Sequence, residues 1–171
     1  STGSGLEILA MPRAELETFA KAQRITLNTM IQATWTLMLQ RYTGRRQVAF
    51  GATVSGRPAA VAGIEQMLGL FINTLPVIQA PQPYQALAHW LGELQAHNLA
   101  LREHEYTPLF SLQQLAGQAG RELFDTLLVF ENYPVDQALR GQDDGLRFSN
   151  LQVSEQTHYP LSLAIMAGDD L

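Results

Sequence analysis

Hydrophobic positions along the chain switch between the 3.6-residue period of amphipathic helices and the two-residue period of half-buried strands. Residues 6–10 form a short strand-like run. Pro12 then suits a first helical turn, and Leu16, Phe19 and Ala20 recur at helical spacing up to Arg24. A second helix is better marked. Thr26 suits its N-cap, Leu27, Met30, Ile31, Thr34, Trp35, Met38 and Tyr42 define an apolar face, and Gly44 suits its end. Val48, Phe50, Ala52 and Val54 alternate with Ala49, Gly51, Thr53 and Ser55, which predicts a strand whose second face is small, partly polar and open to close approach. The strand breaks at Gly56-Arg57-Pro58, and a loop through Gly63 leads to a short helical stretch at residues 64–68. Residues 70–78 read as a strand in which Pro76, lacking an amide donor, belongs at an edge, a bulge or the strand's end.

The longest predicted helix covers residues 84–105, with Leu87, Trp90, Leu91, Leu94 and Leu101 on one stripe. A short helix follows, with Thr107 as its cap, Pro108 in its first position and Gly117 at its end. Residues 126–130 are continuously apolar and predict a strand covered on both faces. Residues 146–153 and 161–166 are read as a closing strand pair. Strands separated by helices define an α/β fold class, a mixed β-sheet packed with helices.

At 171 residues, 46% apolar and 16% charged, the chain has the length and composition of one globular domain. A domain of this size hides about 70% of its extended surface and needs no covalent staple. The absence of cysteine excludes a disulfide framework, a thiolate zinc site and a cysteine nucleophile; a reducing, cytoplasmic setting is the expectation. A net charge of −5, one lysine (Lys21), and arginines scattered singly or paired as in Arg45-Arg46 argue against a nucleic-acid partner. No apolar run approaches the ~20 residues of a membrane span. Residues 1–5, Ser-Thr-Gly-Ser-Gly, lack the features of a signal peptide and are read as a tail, a tag remnant or a cut linker.

Familiar catalytic motifs fail residue by residue. Thr53-Val54-Ser55-Gly56 lacks the leading glycine of a nucleophile elbow, and neither a Walker loop nor Gly-x-Gly-x-x-Gly occurs. His89, Glu93 and His97 are spaced by four, but His89 points away from the leucine stripe, so the set is read as a solvated face and no metal site is assigned. His104 and His158 each precede a turn and a proline and are read as tying their rings to turn backbone. Asn73 shares a face with Phe71, Leu75 and Val77 and has two open readings: holding a bulge or neighbouring strand, or facing a reacting carbonyl or amide-rich ligand. Arg57 is read as solvated or clamping a local carboxylate rather than anchoring a phosphate. Asp125, Glu131 and Asn132 bracket the apolar strand as end caps.

Four segments in fixed order carry a family resemblance. They are Val48-Ala-Phe-Gly-Ala-Thr-Val-Ser-Gly-Arg-Pro58, Met67-Leu-Gly-Leu-Phe-Ile-Asn-Thr-Leu-Pro76, His104-Glu-Tyr-Thr-Pro-Leu109 with Leu112-Gln113, and Leu123-Phe-Asp-Thr-Leu-Leu-Val-Phe-Glu-Asn-Tyr-Pro134. From about Leu6 onward the chain resembles the C-terminal half of the condensation domain of nonribosomal peptide synthetases. The resemblance implies a chloramphenicol acetyltransferase-like fold in which two α/β halves form a V around an acyl-transfer tunnel. It also implies a reaction in which an acceptor amine attacks a donor thioester, with both substrates on 4'-phosphopantetheine arms of carrier proteins and no directly bound cofactor. The expected partners are the N-terminal half of the domain, peptidyl or aminoacyl carrier domains and an adjacent adenylation domain.

The family's His-His-x-x-x-Asp-Gly motif is missing from these residues; before Asp144-Gly145 the corresponding positions are Leu139 and Arg140. The chain is therefore expected to lack a catalytic residue of its own and to be inactive alone. By the same resemblance, Thr53, Ser55, Gly56, Arg57 and Pro58 belong to the floor-loop region, Asn73 lies near the tunnel, and Asn132, Tyr133 and Pro134 lead toward the interface. His104, Thr107 and Pro108 belong to a structural motif. Residues 6–171 are expected to be a truncated C-terminal subdomain whose exposed interface promotes self-association and whose last strand is an unprotected edge. A second functional class, a non-catalytic docking module for carrier or adenylation domains, stays open.

Overall fold

The structure, a computed structural model, describes residue 5, residues 12–55, residue 57, residues 61–131 and residues 157–166. The strands expected at residues 6–10 and 146–153 lie outside the described residues. Helix α1, Arg13–Ala22, begins after Pro12, whose ψ of 119° places it before the helix and not in its first turn. The helix stops at Ala22, short of the expected Arg24, because Arg24 takes a left-handed φ of 56° and reverses the chain.

Helix α2, Leu27–Thr43, starts and stops where local chemistry predicts. Thr26 Oγ1 accepts the Thr29 amide at 3.1 Å, and Gly44 leaves the helix with a φ of 67°. Its buried side is a correction to the expected apolar face. Trp35 is buried, but so are Thr29, Gln32, Ala33 and Thr36, whereas Met38 and Tyr42 are exposed. Thr29 and Thr36 can be buried because their hydroxyls are satisfied: Thr36 Oγ1 donates to Gln32 O at 2.8 Å, Thr29 Oγ1 donates to Gln95 Oε1 at 2.8 Å, and Asn98 Nδ2 donates to Thr29 Oγ1 at 3.1 Å; Gln32 Oε1, by contrast, is buried with no partner among the described residues. This seam joins α2 to α3, Leu87–Arg102. Helix α3 is shorter at both ends than predicted, and of its leucine stripe Leu91 and Leu94 are buried with Trp90 while Leu87 stays half exposed.

Four strands form one mixed sheet. They are β1, Val48–Val54; β2, Asn73–Gln79; β3, Thr126–Glu131; and β4, Leu161–Met166, in the order β2-β1-β3-β4. β1 pairs antiparallel with β2 and parallel with β3, and β3 pairs parallel with β4. Pro76 thus sits on an edge strand, opposite Gly51. Residues 70–72 precede β2 instead of belonging to it, and a 3-10 turn, Ile64–Gln66, stands in the loop between β1 and β2. The short helix α4, Leu109–Leu115, follows α3.

The core lies between the sheet and the α2–α3 layer, where Phe50, Val77 and Leu128 meet Trp90, Leu91 and Leu94. Fully buried side chains of this size each contribute about 1.5–3 kcal/mol by leaving water. β3 is buried on both sides through Thr126, Leu127 and Leu128, as a continuously apolar strand predicts. Among the described strands, β4 is the last, with Leu161 and Met166 exposed.

Candidate functional site

The antiparallel register of β1 and β2 brings two groups of predicted residues to one end of the sheet, setting Thr53 opposite Thr74 and Val54 opposite Asn73. Thr53 Oγ1 donates to Leu128 O at 3.2 Å, so its hydroxyl ties β1 to β3. Ser55 is exposed just beyond the strand. Gly56 and Pro58 lie outside the described residues.

Arg57 organises the loop between β1 and β2. Its Nη1 donates to Ile64 O and, at 3.2 Å, to Met67 O, while its guanidinium sits 4.3 Å from the centroid of the Phe71 ring. The expectation of a solvated or carboxylate-clamping side chain is corrected: the fork gathers backbone carbonyls, with an aromatic face beneath it. This arrangement fixes a loop whose Leu68 and Leu70 side chains are almost fully exposed, beside exposed Ile72.

Asn73 spends its whole amide on the protein. Nδ2 donates to Glu105 O at 2.9 Å and Thr107 O at 2.8 Å, and Oδ1 accepts the Thr74 amide at 2.9 Å. The side chain therefore clamps the α3–α4 turn onto the edge strand. The same contact corrects the reading of Thr107, whose carbonyl is held by Asn73 while Pro108 occupies the N-cap position of α4 without a side-chain cap bond. His104 acts through its backbone, accepting the Thr107 amide at 2.9 Å. Gly117 ends this region with a φ of 67°. Asn132, Tyr133 and Pro134 lie outside the described residues.

Across the sheet face opposite the helices runs an aromatic stack that sequence reasoning did not assemble. A Cβ on Gly51 would come within 2.4 Å of the Phe124 ring and 2.8 Å of Thr74 Cγ2, so only glycine admits the ring there. Tyr159 stacks on Phe124 with centroids 5.4 Å apart, and the His158 ring lies 4.3 Å from Tyr159. His158 precedes β4, not a helix, and its ring meets an aromatic neighbour where backbone groups were expected. Burial first, and the charge of Glu122 second, push the Tyr159 hydroxyl above its ordinary value of 10.0. The small second face of β1 was the available sequence signal; Phe124, 73 positions on from Gly51 (124 − 51), could not be paired with it from spacing alone.

His89 lies on the exposed side of α3, 3.7 Å from Glu93 Oε2. Among the described residues no three His, Cys, Asp or Glu side chains gather as a metal site, and no helix is long and apolar enough to cross a membrane.

A mixed sheet with one helix-covered face, one glycine-centred face and a loop-bearing end is an α/β architecture, and the solved structures that it matches give it the chloramphenicol acetyltransferase-like fold. The family model of the condensation domain matches residues 9–171. The chain belongs to the condensation-domain family of nonribosomal peptide synthetases. It is 46% identical over 154 residues to chondramide synthase cmdD of Chondromyces crocatus, covering 90% of this chain and 4% of the relative. It is 42% identical over 159 residues to a linear gramicidin synthase polypeptide of Brevibacillus parabrevis, covering 92% of this chain and 2% of that one. The first condensation domain of the calcium-dependent antibiotic synthetase, solved with substrate analogue 3a, shares the fold with a TM-score of 0.63 at 21% identity, over 75% of this chain and 28% of that one. The condensation domain of the monacolin K polyketide synthase MokA shares it with a TM-score of 0.63 at 17% identity, over 73% of this chain and 30% of the other. The chain thus spans a small fraction of the proteins it matches.

Proposed function

We propose that this chain supplies the C-terminal arm of a peptide-bond-forming cleft. In that reaction an acceptor amine attacks the carbonyl carbon of a donor thioester; a C–N bond forms, the C–S bond breaks, and the amine's proton passes to a base while the thiol leaves protonated. Both substrates arrive on 4'-phosphopantetheine arms of carrier domains. The base, the second histidine of His-His-x-x-x-Asp-Gly, comes from sequence outside these 171 residues. What supports this reading is the family match over residues 9–171 in a chain that holds no His-His pair.

In this reading the chain's own residues shape and do not react. Arg57 holds the loop that crosses toward the other arm, Asn73 fixes the α3–α4 turn at the cleft's end, and exposed Leu68, Leu70 and Ile72 form part of the surface that the other arm covers. A contiguous apolar surface of this kind also favours self-association when uncovered.

The test is complementation. The chain is mixed with the N-terminal half of a condensation domain and two loaded carrier proteins, and dipeptidyl product is followed by mass spectrometry. Product from the pair and none from either part is expected. Product from this chain alone overturns the proposal, and a pair that binds carriers without product transfers support to the docking-module reading.

A further inference from the structure

At the other end of the sheet, the C-terminal half of α2, the turn at residues 80–86 and the start of α3 enclose an open groove of about 370 Å³. Its floor is apolar, formed by Leu37, Leu87 and Trp90, and Pro81 and Pro83 stiffen one wall. Both sides are set before anything binds. Gln40 Nε2 donates to Arg46 O at 2.6 Å, which holds the loop after α2 in place. Gln82 Nε2 donates to Ala80 O at 3.0 Å, and Trp90 Nε1 donates to Gln79 Oε1 at 3.1 Å.

Among the described residues, the rim carries charge without a partner. Arg45 and Arg46 are both exposed at the groove, no Asp or Glu lines it, and among the described residues neither guanidinium has an acceptor. Arg41 already stands in the last turn of α2 to offset its C-terminal dipole, so the two cations beyond it exceed what the helix end requires. An apolar floor beside two exposed guanidinium forks matches a bulky side chain next to a carboxylate, which guanidinium pairs with in a bidentate manner. Two cations on a chain of net charge −5 are too few for a polyanion such as nucleic acid, whose affinity grows with the number of phosphates neutralised.

We propose that this groove docks a short protein segment that places a large apolar side chain on the Leu37, Leu87 and Trp90 floor and an adjacent Asp or Glu on Arg45 and Arg46. The relatives above carry the matched stretch as only 2% and 4% of their length, so neighbouring chain in such proteins would present the segment at high effective concentration. Weak intrinsic affinity then suffices, because tethering supplies about millimolar local concentration. This proposal is independent of the condensation reaction and stands or falls separately from it.

The probe is a fluorescein-labelled peptide, Gly-Leu-Leu-Asp-Glu-Leu-Gly, titrated against the 171-residue chain by fluorescence anisotropy, beside its Asn-Gln counterpart. The acidic peptide is expected to bind at least about tenfold more tightly than the amide peptide, and R45E/R46E is expected to remove that preference. The milder R45Q/R46Q should weaken binding in the same direction, R121E on another surface should leave it unchanged, and matching circular dichroism melts establish that each variant is folded. Equal binding of the two peptides, no binding up to millimolar protein, indifference to both arginine variants, or displacement by a single-stranded oligonucleotide at lower concentration than by unlabelled peptide would each overturn the proposal.

Discussion

One face of the sheet presents Phe50, Val77 and Leu128 to the helices, whereas the opposite face presents Gly51, beside Thr74, to the Phe124 ring. The first face is stabilised by area: large side chains leave water and interdigitate with Trp90 and Leu94. The second is stabilised by fit at one point, where a missing Cβ lets an aromatic ring lie against the backbone. The two faces should therefore fail in opposite directions, the helix-covered face when side chains shrink and the glycine face when they grow.

The largest effect is expected from F50A. Phe50 is fully buried at the centre of the helix-covered face, and its truncation should cost about 3–5 kcal/mol in urea unfolding. A cost below about 1 kcal/mol would break the contrast at its stronger side. On the opposite face, G51A should cost about 1–3 kcal/mol through overpacking against Phe124. Pairing it with F124L should recover part of that loss, and strict additivity of the two substitutions would show that ring and glycine do not compete for the same space.

N73A should cost about 1–2 kcal/mol, because Glu105 O, Thr107 O and the Thr74 amide all lose their partner. Aspartate at the same place keeps the acceptor for Thr74 and loses the two donors, so N73D should be no better than N73A; recovery to the wild-type melting temperature would show that Asn73 does not clamp the turn. The smallest effect is alkaline. Since Tyr159 releases its proton at a higher pH when folded than when unfolded, its contribution is present below pH 10.0 and fades as pH rises through the folded value. A titration of tyrosinate absorbance in wild type and Y159F should show this late-ionising group lost in the variant.

The elements whose cause is local were legible. Thr26 and Gly44 bound α2, Gly117 follows α4, Pro76 marks an edge strand, and the alternation of β1 foretold a closely approached second face. Elements whose cause lies elsewhere were not. The apolar positions of α2 suggested a face including Met38 and Tyr42, yet burial went to Thr29, whose partners Gln95 and Asn98 stand 66 and 69 residues away. The same distinction governs the candidate site. Segment order pointed to Arg57 and Asn73, but the carbonyls that Arg57 gathers and the turn that Asn73 holds exist only once the loops are folded.

By itself the sequence determined the α/β alternation, the principal caps and breaks, the family and the absence of a paired histidine, because each depends on residue identity or on neighbours within a helical turn or strand. Tertiary structure alone decided which face of α2 is buried, that Asn73 spends its amide on a distant turn, that Phe124 fills the space above Gly51, and that Arg45 and Arg46 flank an apolar groove. Those outcomes rest on hydrogen bonds and packing between residues far apart in the chain, and periodicity carries no information about which distant group will satisfy a buried polar atom or occupy a missing side chain's volume.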